Sequence, residues 1–219
     1  MIRNIIIIIF ISQLGIFTIN KILRTLFKHN KSINYNKKSY TPSSSDYLCI
    51  IINSIIVEPL FMYGVLYKTQ SHILTPQTVV SPTLILFSIL FMAILDDICY
   101  TPFHYLLHKI PLLYKHIHYI HHKITHPDQG YIHAVMEHPL EMIIALIIHM
   151  QIIKLLLFIS SGPSEAIGVW LHIVLKAVLA CLNHMGMSVD FNIIWYSALN
   201  HHIHHSKLRT NFGQHFNIY

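Results

Sequence analysis

Residues 96–122, DDICYTPFHYLLHKIPLLYKHIHYIHH, decide how the rest of the chain is read. His104 and His108 stand four apart, and His118, His121 and His122 follow at i, i+3 and i+4. On a helix those spacings share one face, so each group is expected to aim its imidazoles at one point. A second H-x-x-H-H, made by His201, His204 and His205, lies near the C-terminus. Imidazole suits zinc, copper, iron and nickel. A tetrahedral site needs four ligands, and these eight histidines exceed one such site, so the spacing predicts a two-metal centre. If the metal is iron, a centre of this kind without thiolates would activate dioxygen. The three cysteines, Cys49, Cys99 and Cys181, are widely spaced and form neither a C-x-x-C pair nor a disulfide framework. The ligands must therefore be histidines.

Outward from this stretch the chain is apolar. Of its 219 residues, 53% are hydrophobic and 11% charged, against roughly 25% charged in soluble domains. Mean hydropathy is +0.51. The net charge of +6 is no nucleic-acid signal, because the Lys and Arg concentrate after the first apolar stretch, where they set topology or touch anionic lipid.

Five spans are predicted. Residues 2–19 form an Ile-rich uncleaved anchor, with no small-residue cleavage site after it. Residues 20–46 form a basic connector carrying Lys21, Arg24, Lys28, Lys31, Lys37 and Lys38, which the positive-inside rule places in the cytosol. Residues 47–67 are the second span, interrupted by Glu58 before Pro59, and residues 68–78 are a polar turn. Residues 79–95 are the third span, and Asp96 and Asp97 mark its exit from lipid. Two short helices separated by Pro111 carry the first histidine groups. Residues 139–159 and 165–182 form a transmembrane hairpin around the turn SSGPS. His149, Lys154, His172 and Lys176 lie within this hairpin, costly places in lipid, so they should face the bundle interior or snorkel. From a cytosolic 20–46, this parity brings every histidine cluster to the cytosolic face. The expected fold is thus an all-α polytopic membrane bundle with a cytosolic, histidine-rich helical cap. Residues 1–95 serve as a three-span anchor region and 96–219 as a catalytic domain that includes the 139–182 hairpin.

Lone histidines such as His29, His72, His149 and His172 read as surface or satisfied core residues. Metal-bound imidazoles need outer partners to orient the free ring nitrogen. Asp96, Asp97, Glu137 and Glu141 are candidates, with helix capping or an interface charge as the equal alternative for each.

HYLLHKIPLLYKHIHYIHH, then MEHPLE, then NHMG, then HHIHHSKLRTNFGQ resembles the fatty acid hydroxylase superfamily over about residues 90–216. That superfamily includes sterol desaturases, C4-methylsterol oxidases and cholesterol 25-hydroxylase. The resemblance implies an integral membrane di-iron monooxygenase or desaturase, typically of the endoplasmic reticulum. Electrons would come from NAD(P)H through cytochrome b5 or its reductase. The family's H-x(3)-H falls on His104 and His108, and its two H-x-x-H-H motifs fall on His118, His121, His122 and on His201, His204, His205. His202 takes a non-ligand position. H-P-L-E implies a further ligand at His138, and the H-x-G stretch another at His184. Asn211, Phe212 and Gly213 match the family's Asn-aromatic-Gly.

H-P-L-E resembles the C4-methylsterol oxidase branch more than the C5-desaturase branch. The implied function is O2-dependent hydroxylation of a lipid, a sterol methyl group or a fatty-acyl chain, with no part for nucleic acid. Desaturation by the same superfamily is the enzymatic alternative. A membrane metal-binding or transport protein is the alternative of another class. The chain stops at Tyr219, where relatives usually continue through a W-D-x-x-F-G-T-like segment. That departure bears on substrate closure and keeps an inactive paralogue as a third reading. The C-terminus has no dilysine retrieval signal, so residence in the endoplasmic reticulum follows from the resemblance alone.

Overall fold

In a computed structural model, the chain is described over residues 2–33, 40–73, 79–191 and 196–213. Lys37 and Lys38 of the basic connector, residues 74–78 of the polar turn and Gln214 fall outside these residues. About three quarters of the described residues are helical, with almost no strand. Five helices are long and apolar enough to cross a membrane, making the chain a multi-pass integral membrane protein with an all-α bundle.

Helix α1 (Ile2–Leu26) is longer than the apolar run that predicts it. It continues past residue 19 through Lys21 and Arg24, and Arg24 Nη2 donates to the carbonyl of Asp128 at 2.6 Å. The basic residues that were to open the connector thus sit on the last turns of the helix, where one of them ties α1 to a loop beside the histidines.

The second span is built from α2 (Ser44–Ile52), a π-helical turn (Asn53–Val57) and α3 (Glu58–Ile73). Proline at 59 has no N–H to continue an α-helical ladder and crowds the carbonyl four residues back. The π turn absorbs this, with the N–H of Glu58 bonded to the carbonyl of Asn53. Glu58 accepts a hydrogen bond from the hydroxyl of Tyr131. The interruption expected at Glu58–Pro59 is therefore a local bulge in a continuous rod, with an interhelical hydrogen bond on its carboxylate.

Helix α4 (Pro82–Lys109) corrects two boundaries. The third span and the first histidine motif are one 28-residue helix, with Pro102 inside it. Asp96 and Asp97 do not end the helix; both are buried within it. A lipid-buried backbone must satisfy itself within the helix, and two acids do not end it when the fold supplies them with partners. A short α5 (Pro111–Leu113), a second π turn (Tyr114–His118) and α6 (Tyr119–His122) follow. Then come α7 (Tyr131–Ala134), the hairpin α8 (Pro139–Ile159) and α9 (Pro163–Asn183), and α10 (Ala198–Lys207). A two-residue pairing, β1 (Asp190–Phe191) with β2 (Tyr196–Ser197), is antiparallel and precedes α10.

Helix α4 packs against α9 and α8. Val65, Met92, Ile152, Ile153, Leu156 and Val169 fill the bundle centre. At the histidine end, Leu23 of α1 packs with Leu179, Leu182, Met185 and Tyr196. Phe10, Phe17, Leu86, Ile147 and Leu171 are exposed on the outer surface, as a lipid-facing belt requires. Between helices in lipid, small residues allow close backbone approach. A Cβ on Gly168 would lie 2.5 Å from Cβ of Ser88 and 3.1 Å from the carbonyl oxygen of Ile85. Gly168→Leu is therefore expected to push α9 off α4 and destabilise the bundle by about 1–3 kcal/mol. Thermal unfolding in mild detergent checks this, and an unchanged midpoint would contradict the close packing.

Candidate metal centre

Histidines gather where the ends of α4, α8 and α9 meet α6 and α10. Two groups form. The first joins His104, His108, His118, His122 and His204; the second joins His121, His184, His201 and His205. Within each group one ligand atom per residue lies within 4.8 Å of the others.

Neither H-x-x-H-H motif points to a single centre, as the shared-face reading expects. His118 and His122 serve the first group and His121 the second, whereas His201 and His205 serve the second and His204 the first. Helical geometry explains the crossing. At about 100° per residue, i+4 falls close to i, while i+3 falls about 100° from i+4. Each motif thus gives its i and i+4 imidazoles to one group and its i+3 imidazole to the other. The two motifs do so in opposite senses, which stitches α6 and α10 together across both groups. The groups are adjacent: the rings of His122 and His205 have centroids 4.8 Å apart. The π turn at Tyr114–His118 resets the phase of the segment just before α6, a placement that π-bulges often take at functional sites.

The imidazoles are oriented from outside. His104 Nδ1 donates to the carbonyl of Phe212 at 2.9 Å, and His204 Nδ1 to that of Thr210 at 2.8 Å. His205 Nδ1 donates to the carbonyl of Ile124 at 2.7 Å, and His184 Nδ1 to that of Ala180 at 2.9 Å. His118 Nδ1 lies 2.7 Å from Glu141 Oε1. A carbonyl can only accept, so Nδ1 carries the proton and Nε2 is left with a lone pair. Those Nε2 atoms face one another and the Nε2 atoms of His108 and His201. His104 and His118 approach to 3.1 Å, His118 and His108 to 2.8 Å, and His108 and His204 to 3.2 Å. In the second group His201 lies 3.1 Å from both His184 and His205. Buried lone pairs opposed at these distances are satisfied by a shared cation. His122 has both ring nitrogens buried without a hydrogen-bond partner. Five imidazoles braced from behind, gathered with four more whose ring nitrogens lie within ligand distance of them, fit metal ions.

A loop strap completes the first group. Leu208 (φ 61°) and Asn211 (φ 59°) adopt left-handed backbone, and the Asn211 side chain donates to the carbonyl of Asn200. The turn presents the two carbonyls that orient His104 and His204. The Phe212 ring packs on His104, His108 and His204.

Nine of the ten histidines expected as ligands are brought together; His138 is not. It caps α8, with Nδ1 accepting the N–H of Leu140 at 3.1 Å. H-P-L-E here is a helix start: His138 caps, Pro139 opens the first turn, and Glu141, 1% exposed, reaches His118. Of the acids considered as outer partners, Glu141 takes that role, and Asp96 lies elsewhere with His149 and His172. Sequence reading treated those two as isolated residues. The signal that could have found them is one polar residue near the middle of each of three apolar spans. His202 and His133 are buried as well, and His133 Nδ1 accepts the N–H groups of Asp128 and Gln129.

Burial pushes the histidines outside the spans down, to about 4 for His121, His204, His133 and His202. It pushes His118, His122, His184, His201 and His205 well below the usual range, with neighbouring imidazoles adding to the effect. Unfolded, these groups titrate near 6.5. Between about pH 6.5 and 4 the unfolded chain binds more protons than the folded one, so this contribution to stability is complete above pH 6.5 and lost on acidification. The metal-free chain is expected to melt at progressively lower temperature from pH 7 to pH 4.5. A flat profile over that range would contradict neutral, buried imidazoles.

The sequence profile of the fatty acid hydroxylase family matches residues 89–219, more than half of the chain. No curated protein and no solved structure matches it. The chain belongs to the fatty acid hydroxylase family. That makes it a hydroxylase-type oxidoreductase of lipid metabolism, acting as a lipid hydroxylase or desaturase, and the family is typically iron-dependent.

Proposed function

We propose that this chain is an O2-dependent di-iron lipid hydroxylase whose substrate is a sterol methyl group or a fatty-acyl chain. The observation that carries the reading is the pair of adjacent, outward-braced imidazole groups at one end of an apolar bundle. Two irons held there would supply oxygen activation and hydrogen abstraction from an unactivated C–H bond. His104, His108, His118, His122 and His204 would hold one, and His121, His184, His201 and His205 the other. Glu141 and the carbonyls of Phe212, Thr210, Ile124 and Ala180 keep the Nε2 lone pairs aimed inward. The Phe212 ring covers the first group and shields it from water. The spans offer a lateral route for a substrate that stays in the bilayer. His138 has no part in either group and is proposed here only as the cap that sets Glu141.

Electrons would come from NAD(P)H through cytochrome b5 or its reductase. Placement in the endoplasmic reticulum, with the histidines facing the cytosol, follows from the positive-inside argument together with family membership. Residues 1–95 would then anchor a catalytic region formed by 96–219. A desaturase of the same family shares the first hydrogen abstraction, and product analysis separates the two. A metal transporter is the alternative of another class, and metal uptake into vesicles carrying the chain separates it from the oxygenase.

The test is iron content per chain in mild detergent, then turnover of labelled C4-methylsterol and fatty-acyl substrates with cytochrome b5 and its reductase. About two irons and a hydroxylated product support the proposal. A product with a new double bond moves the reading to desaturation. Iron-loaded, folded protein inert toward both substrate classes would turn it to an inactive paralogue.

A further inference from the structure

Helices α4, α8 and α9 each carry a polar residue near the middle of an apolar run: Asp96, His149 and His172. Their exposures are 1%, 1% and 0%. His149 Nδ1 lies 2.8 Å from Asp96 Oδ2, and His172 Nε2 lies 3.0 Å from the same oxygen. One ligand atom from each falls within 4.8 Å of the other two. Asp96 stands eight residues before His104 on α4, about 12 Å at 1.5 Å per residue. The group is therefore separate from the nine-histidine centre.

We propose that Asp96, His149 and His172 form a distinct mononuclear site for a zinc-type divalent ion, bracing three helices inside the bundle. Two imidazoles and a carboxylate are a zinc ligand set, and three protein ligands leave a fourth position open. Ligands about 2.0–2.1 Å from a tetrahedral ion lie roughly 3.3 Å from one another, so the two separations from Asp96 need to open by only a few tenths of an ångström, and the two imidazole nitrogens already lie within 4.8 Å of each other. The rival is an ordinary ion pair. Lys176 Nζ lies 3.1 Å from Asp96 Oδ2 and 3.3 Å from His149 Nδ1. That pair needs neither imidazole, and imidazoles are costly to place in an apolar interior. The Lys176 side chain is 21% exposed, so it sits at the rim and is the group an entering ion displaces.

The experiment strips the full-length chain with chelator in mild detergent, loads it with excess zinc, removes unbound metal and counts zinc per chain. His149→Gln and His172→Gln are each expected to hold one zinc fewer than wild type. Lys176→Met is expected to keep the full count and to hold the least tightly bound ion at least tenfold more tightly in chelator competition. Equal counts in wild type and both glutamine variants overturn the site. If those variants do not fold, an unchanged zinc affinity in Lys176→Met overturns it. The test is independent of the proposed activity. A wild-type chain holding a single zinc that His172→Gln removes would sink the two-metal centre and leave this site standing.

Discussion

His204→Ala and His121→Ala are expected to abolish lipid oxidation while removing different metal ions. His204 belongs to the five-imidazole group, so its loss leaves His104, His108, His118 and His122. His121 belongs to the four-imidazole group, so its loss leaves His184, His201 and His205. Three remaining ligands hold a metal less well than four, and His121→Ala should show the lower residual occupancy. Loss of an outer-shell partner alone typically costs 10–100-fold in metal affinity or activity. Removing a ligand should therefore reduce turnover by at least about a hundredfold. Metal content per chain and product formation, measured on the same preparations, check both. Wild-type turnover in either variant would remove that residue from the centre. Equal, complete metal loss in both would mean that the two groups bind as one cooperative unit.

Glu141→Leu is expected to weaken the first group without removing any ligand. Glu141 Oε1 is 2.7 Å from His118 Nδ1, and the pair is buried. Leucine leaves that N–H in an apolar pocket with no acceptor, a cost of about 1–3 kcal/mol. It also frees the ring to turn its Nε2 away from His104 and His108. Metal affinity should fall about 10–100-fold. Glu141→Gln keeps an acceptor oxygen and should recover part of that loss. A leucine variant with wild-type metal affinity would show that His118 is held by packing alone.

Much of this was legible before any fold was drawn. Apolar runs of membrane length predict five spans because lipid leaves the backbone only internal hydrogen bonds. The helices found are those runs, extended at their ends and, in the second, bulged midway. The motif histidines were equally legible, since spacing on a helix restricts which side chains meet.

Partner choice was not legible. Spacing turns His121 away from His122 around the helix, but only the packing of α6 against α4 and α10 decides which group each of them serves. The resemblance that made His138 a ligand could not show that its Nδ1 is spent capping α8. Asp96 and Asp97 read as a boundary because charge at the end of an apolar run usually marks water. The burial of Asp96 depends on His149, His172 and Lys176, which arrive from 53 to 80 residues away.

By itself, then, the sequence determined that this is a multi-pass helical membrane protein with histidine groups of metal-binding spacing, because periodicity and hydropathy are local. Only the tertiary structure decided which imidazoles share a centre, which carbonyls aim them, and which polar residues meet inside the bundle. Those outcomes depend on contacts between segments far apart in the chain, and no local pattern encodes them.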